Sequence, residues 1–222
     1  MFINQNYKEI IDTISKDVVL VAVSKTKPNE DIMEAYRAGH RVFGENKVQE
    51  MVNKYEALPH DIEWHMIGHL QSNKVKYMAP FVSLIHGVDK WSTLVEINKQ
   101  AKKHNRVIDC LLQARIAKEE TKFGMGFEEI ERILFSNELK DLDHVSIKGL
   151  MGMATFTDDS DQIASEFESL NEFYKKMCSE GCKLEVLSMG MSGDYTIAMS
   201  HGSNMIRVGS AIFGDRNYLA GQ

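Results

Sequence analysis

Strand-like and helix-like segments alternate eight times along this chain, and no other feature narrows its fold so far. Apolar stretches at 18–24, 41–45, 62–68, 81–88, 107–116, 145–154, 184–192 and 205–214 read as strands. Each of the first seven leads into a helix-like stretch, such as "NEDIMEAYRAG" at 29–39 or "DQIASEFESLNEFYKKMCSEG" at 161–181. In the first of these, Asn29 reads as the N-cap, Glu30 and Asp31 fill the first turn, and Gly39 stops the helix. The eighth strand lacks a full helix after it, and a helix-like segment precedes the first strand. The strands are apolar on both parities, as expected where both faces are buried. No linker, repeat of low complexity or charge block divides them. Eight such units in α/β order predict a single (β/α)8 TIM barrel over residues 1–222. An open doubly wound sheet is the alternative, but no G-x-G-x-x-G fingerprint follows the first strand.

Composition narrows the function. The 222 residues are 43% hydrophobic, enough for one large core. Net charge is −6, and no Lys/Arg-rich block is present, which argues against a nucleic-acid partner. The cysteines are Cys110, Cys178 and Cys182, an odd count that does not suit a secreted disulfide scaffold. The opening "MFINQNYKEI" is no signal peptide, and no apolar run approaches a membrane span. A cytoplasmic protein is expected.

In a (β/α)8 barrel the functional face is the C-terminal end of the strands. The first strand, "VVLVAVS", runs directly into Lys25, then Lys27 and Pro28. Both lysines could be strand-end residues that reach water. The other reading has Lys25 pointing into the barrel mouth over an apolar floor. Desolvation there favours the neutral amine, which forms Schiff bases with aldehydes. Phosphates in such barrels commonly bind after strands seven and eight. The chain offers "MSGD" (191–194) and "VGS" (208–210) at those places, with the hydroxyls of Ser192 and Ser210. Arg207 lies on strand eight itself, where an unpaired charge would be costly. A salt bridge to a neighbouring carboxylate is one explanation for it, and a ligand is the other. Two Met-Gly-Met turns, at 151–153 and 189–191, supply either core methionines or side chains that pack on a flat ring. Lysine, phosphate cup, methionines and arginine together suit pyridoxal 5′-phosphate.

The motifs "AVSKTKP", "FGENKVQE", "WHMIGHLQSNK", "SMGMSGD" and "IRVGSAIFG" closely resemble the YggS/PROSC family of pyridoxal-phosphate homeostasis proteins. The resemblance runs from about residue 18 to residue 218. It implies a fold like the N-terminal barrel domain of alanine racemase. It also implies Lys25 as the Schiff-base residue, Arg207 beside the pyridine nitrogen, and Asn46 near the ring. Ser192, Gly209 and Ser210 are implied as phosphate ligands. Family members often carry threonine where Ser210 stands, which keeps the hydroxyl. The family is regarded as regulating pyridoxal-phosphate supply, without an established catalytic activity.

Other patterns carry less. His65 and His69 are four apart in "HMIGH", but the segment reads as strand into loop, which would separate the imidazoles by about 13 Å. A metal site is not expected. Cys178 and Cys182 at a helix end read as incidental, and "DDSD" (158–161) as a solvated helix start. Three functions then fit the residues: a pyridoxal-phosphate carrier or regulator, an amino-acid racemase using that cofactor, and a Schiff-base aldolase acting on a phosphorylated sugar. The carrier is preferred, with no enzyme activity. The racemase resemblance would need a further β-rich domain, and the chain stops at "DRNYLAGQ". The expected partners are the cofactor and, as recipients, pyridoxal-phosphate-dependent apo-enzymes, with the protein itself a monomer.

Overall fold

The computed structural model describes residues 2–118 and 123–214. The reading of the closing stretch 215–222 lies outside them. Eight parallel strands close in chain order into a barrel. They are β1 (Val19–Val23), β2 (Val42–Glu45), β3 (Glu63–Met66), β4 (Leu84–Val88), β5 (Ile108–Gln113), β6 (Val145–Met151), β7 (Val186–Ser188) and β8 (Met205–Val208). The closing pair sets Val19 against Met205 and Ala22 against Val208. Around the barrel lie α1 (Phe2–Thr13), α2 (Asn29–Arg37), α3 (Val48–Ala57), α4 (Val75–Met78), α5 (Trp91–Lys103), α6 (Phe127–Leu134), α7 (Ser160–Ser179), α8 (Tyr195–Ser200) and α9 (Ser210–Phe213).

The two parities of each strand serve two cores. On β1, Leu20 and Ala22 join the large cluster between barrel and helices, whereas Val21 joins Leu84, Leu111, Met151 and Met205 inside the barrel. This is the side-chain period of two in a sheet covered on both faces. Helix α7 shows the matching helical logic. Ile163, Phe167, Leu170 and Met177 are buried along one stripe. Asp159 caps the helix, its carboxylate accepting from the amides of Asp161 and Gln162.

Three sequence expectations are corrected. Asn29 is not an N-cap: Pro28 holds that position, extended at φ −69 and ψ 163, with no side-chain cap bond, and Asn29 is the first helical residue. Proline lacks an N–H and fixes φ, so it tolerates the flanking position. The eighth strand does not run to 214. It ends at Val208, and 210–213 form the single turn α9. The helix after β3 is a 3₁₀ turn, Ser72–Lys74, running into the short α4, not one helix over 70–79. No helix among the described residues is long and apolar enough to cross a membrane.

Candidate functional site

A cavity of about 940 Å3 opens where the C-terminal ends of the strands meet. Lys25, Asn46, Ser192, Arg207, Gly209 and Ser210 all line it. Lys25 arrives there in the turn that follows β1. Val21 faces the barrel interior, Val23 lines the cavity floor, and Lys25 follows two residues on, half-buried. Lys27 lines the same cavity, but its amine is bonded to backbone. Its amine donates to the carbonyls of Phe213 at 2.8 Å and Gly214 at 3.0 Å, tying the β1 loop to the end of α9.

Arg207 is 3% exposed and points across the barrel. Its guanidinium donates to the Ser188 carbonyl at 2.9 Å, the Ser188 hydroxyl at 2.6 Å and the Gly152 carbonyl at 3.0 Å. Neutral oxygens hold it where a carboxylate partner was one sequence expectation. Burial lowers its pKa to about 10, so the guanidinium remains a cation at neutral pH. A guanidinium carries five N–H donors, so this set leaves donors over for a ligand. The glycines of the two Met-Gly-Met turns explain the fit. Gly152 gives its carbonyl to the guanidinium, and Gly190, at φ +92, gives its own to the Arg207 amide at 3.0 Å. In each turn one methionine is core (Met151, Met189) and the other lines the cavity (Met153, Met191).

Behind Arg207 runs a buried polar chain. The Ser188 hydroxyl lies 3.3 Å from His86 Nδ1, and His86 Nε2 lies 3.1 Å from His65 Nδ1. Burial pushes the His65 pKa down to about 3 and that of His86 well below the ordinary histidine value. Two neutral imidazoles can share one proton between facing nitrogens, which satisfies both without a charge. Among the described residues no group of three or more histidine, cysteine or acidic side chains comes together.

On the phosphate side, the Ser192 hydroxyl accepts from the amides of Gly209 at 3.1 Å and Ala211 at 3.4 Å. Ser210 is exposed beside it. Gly209 is close-packed, since a Cβ there would lie 3.2 Å from the Val23 carbonyl oxygen. On the far side of the mouth, His69 Nδ1 pairs with Asp89 at 2.9 Å and its ring stacks on Phe123 at 4.0 Å. A Cβ at Gly68 would lie 2.5 Å from the Asn46 carbonyl oxygen, so the turns after β2 and β3 nest together.

The sequence reading missed Ser188, His86, Asp89 and the ion cluster of Glu45, Glu50 and Lys54. Their signal was faint. His86 is the lone ionisable residue in an apolar strand, and Glu50 and Lys54 have the i,i+4 spacing of a helical ion pair. Nothing local links any of them to the mouth.

The alanine racemase N-terminal domain family matches residues 2–217. A pyridoxal phosphate homeostasis protein of Aquifex aeolicus is 41% identical over 201 residues, 90% of this chain and 87% of its own. One of Schizosaccharomyces pombe is 37% identical, over 90% and 85%. PipY of Synechococcus elongatus, solved with PLP bound, is 33% identical with a TM-score of 0.87, over 96% of this chain and all of its own. Alanine racemase of Clostridium difficile shares the fold at a TM-score of 0.80 and 14% identity, this chain spanning 57% of it. The barrel, the cavity and these likenesses agree, and the chain belongs to the family of pyridoxal phosphate homeostasis proteins, built on the alanine racemase N-terminal domain.

Proposed function

We propose that this protein binds pyridoxal 5′-phosphate in the barrel mouth and serves its homeostasis as a monomeric carrier rather than as an enzyme. The observation that carries this reading is the meeting of Lys25, Arg207 and the Ser192–Gly209–Ser210 corner around one cavity. The donor set suits the molecule. A phosphate monoester asks for hydroxyls and amides, which the corner supplies. Arg207 is a cation at neutral pH, so beside a pyridine nitrogen it acts as a donor. A ring bound there gains a weaker electron sink than one paired with a carboxylate, which suits holding over turnover. Met153 and Met191 supply soft surfaces for a flat ring, and Asn46 a polar edge. When bound, the cofactor would supply an aldehyde, and Lys25 would be the amine that holds it.

Borohydride reduction of the loaded protein, followed by peptide mapping, tests the assignment. The expected label falls on Lys25, and Lys25→Ala loses it. A label on Lys27 would overturn the reading, and the bonds from the Lys27 amine to Phe213 and Gly214 argue against that outcome.

A further inference from the structure

The loop that carries Lys25 is fixed from one side by a cluster of Lys54, Glu45 and Glu50, the first two buried and the third partly so. Lys54, on α3, has a side chain that is 7% exposed. Its amine donates to the Ser24 carbonyl at 2.8 Å, to Glu45 Oε1 at 2.8 Å and to Glu50 Oε1 at 2.7 Å. The same Glu50 oxygen accepts the Thr26 amide at 2.6 Å, and the same Glu45 oxygen accepts the Ser24 hydroxyl at 2.6 Å. The residues on either side of Lys25 are therefore bound to one cation and its two carboxylates.

The backbone shows why this matters. Thr26 sits at φ 65, the left-handed region. A β-branched residue there is a genuine outlier, and such strain persists only where the surroundings over-determine it. The Glu50 bond to the Thr26 amide is such a surrounding. An extended continuation of β1 would carry the chain away from the strand end. The left-handed turn at Thr26, next to Lys25, redirects it.

We propose that Lys54 and Glu50 are positioning residues for Lys25: they hold the Ser24–Thr26 turn in its strained form so that the Lys25 amine stays at the cavity mouth. The cluster touches no cavity surface itself, since neither Lys54 nor Glu50 lines the mouth. This rests on the reading that Lys25 holds the cofactor covalently. A cluster that merely docked α3 on the barrel would affect every ligand of the cavity alike.

The test compares two ligands. Pyridoxal phosphate offers an aldehyde to Lys25, whereas pyridoxamine phosphate has the same ring and phosphate but no aldehyde. Affinities for both are measured with Glu50→Ala, Lys54→Met and Lys25→Ala, each checked for native circular dichroism. The expected pattern is a loss of about tenfold for pyridoxal phosphate in Glu50→Ala, the scale of one charge-assisted bond. Pyridoxamine phosphate should bind Glu50→Ala as it binds the native protein. Glu50→Gln keeps an acceptor for the Thr26 amide and should recover most of the loss. Should Lys54→Met fail to fold, Glu50→Ala and its glutamine rescue carry the test, because Glu50 is only partly buried. Equal weakening of both ligands, or no change in either, overturns the proposal. If Lys25→Ala itself fails to discriminate the two ligands, the covalent reading falls, and the proposal with it.

Discussion

Ser192 and Ser210 occupy different situations although the sequence presents them as a pair. Ser192 already accepts two amides, and Ser210 is exposed at the start of α9. A phosphate at this corner would meet both hydroxyls and the amides around Gly209. We therefore expect the double variant Ser192→Ala, Ser210→Ala to weaken pyridoxal phosphate by about tenfold or more, since each bond to a charged group is worth roughly 1.5–3 kcal/mol. Titration with unphosphorylated pyridoxal should show little change, and a parallel loss of both ligands would mean a damaged fold instead. At this scale the sequence was informative wherever a residue's role follows from its own strand. Arg207 stands on the inward parity of β8 and Lys25 just past the end of β1, and both places are visible in a string of letters. Ser188 and His86 were not legible, because their role arises where β7 meets β4 across the barrel interior. Arg207 was found, but its neutral partners were not, since two of the three are backbone carbonyls.

The turn from β7 into α8 shows what an element contributes beyond its side chains. Gly190 is at φ +92, and a Cβ there would come within 2.7 Å of the Ala198 Cβ and 2.8 Å of the Tyr195 Cα. Its carbonyl takes the Arg207 amide. Gly190→Ala combines left-handed strain with a clash against a packed helix, so a loss of about 1–3 kcal/mol is expected as a lower urea midpoint. An unchanged midpoint would show that the turn relaxes freely. Elements were legible in kind and order because helix-like segments, most of them long, alternate with apolar ones. Their ends were less so. The run "SAIFG" is apolar and strand-compatible, and periodicity cannot tell one turn of helix from the tail of a buried strand. The short α4 was overextended for the same reason, as "LQSNKVKYMA" carries helical letters but only one turn's worth of burial at Val75 and Met78.

At the scale of the whole molecule, three imidazoles among the described residues are buried and neutral. Burial lowers His40 to about 4, His65 to about 3 and His86 well below the ordinary value. In the unfolded chain each titrates near 6.5, so above that pH both states are neutral and stability is flat in this respect. As pH falls below 6.5 the unfolded chain takes up protons that the folded barrel refuses. Stability must then decline, by up to about 1.4 kcal/mol per pH unit for each imidazole. Urea unfolding between pH 7.5 and pH 5 should show this as a falling midpoint, less steep in His86→Gln. A midpoint constant down to pH 5 would contradict the buried neutral assignment.

The barrel closes by pairing its first strand with its last. Lys25 follows β1, while Arg207 is on β8 and Gly209 and Ser210 come just after it. The cavity that these residues line therefore straddles the join of the first and last strands. During synthesis the lysine leaves the ribosome early and the arginine late, and no nascent chain that stops short of residue 207 holds both. A cofactor that grips both sides can act only on the finished ring. Binding energy gained there would be added wholly to the closed form, so loading would act as a latch on the joined ends.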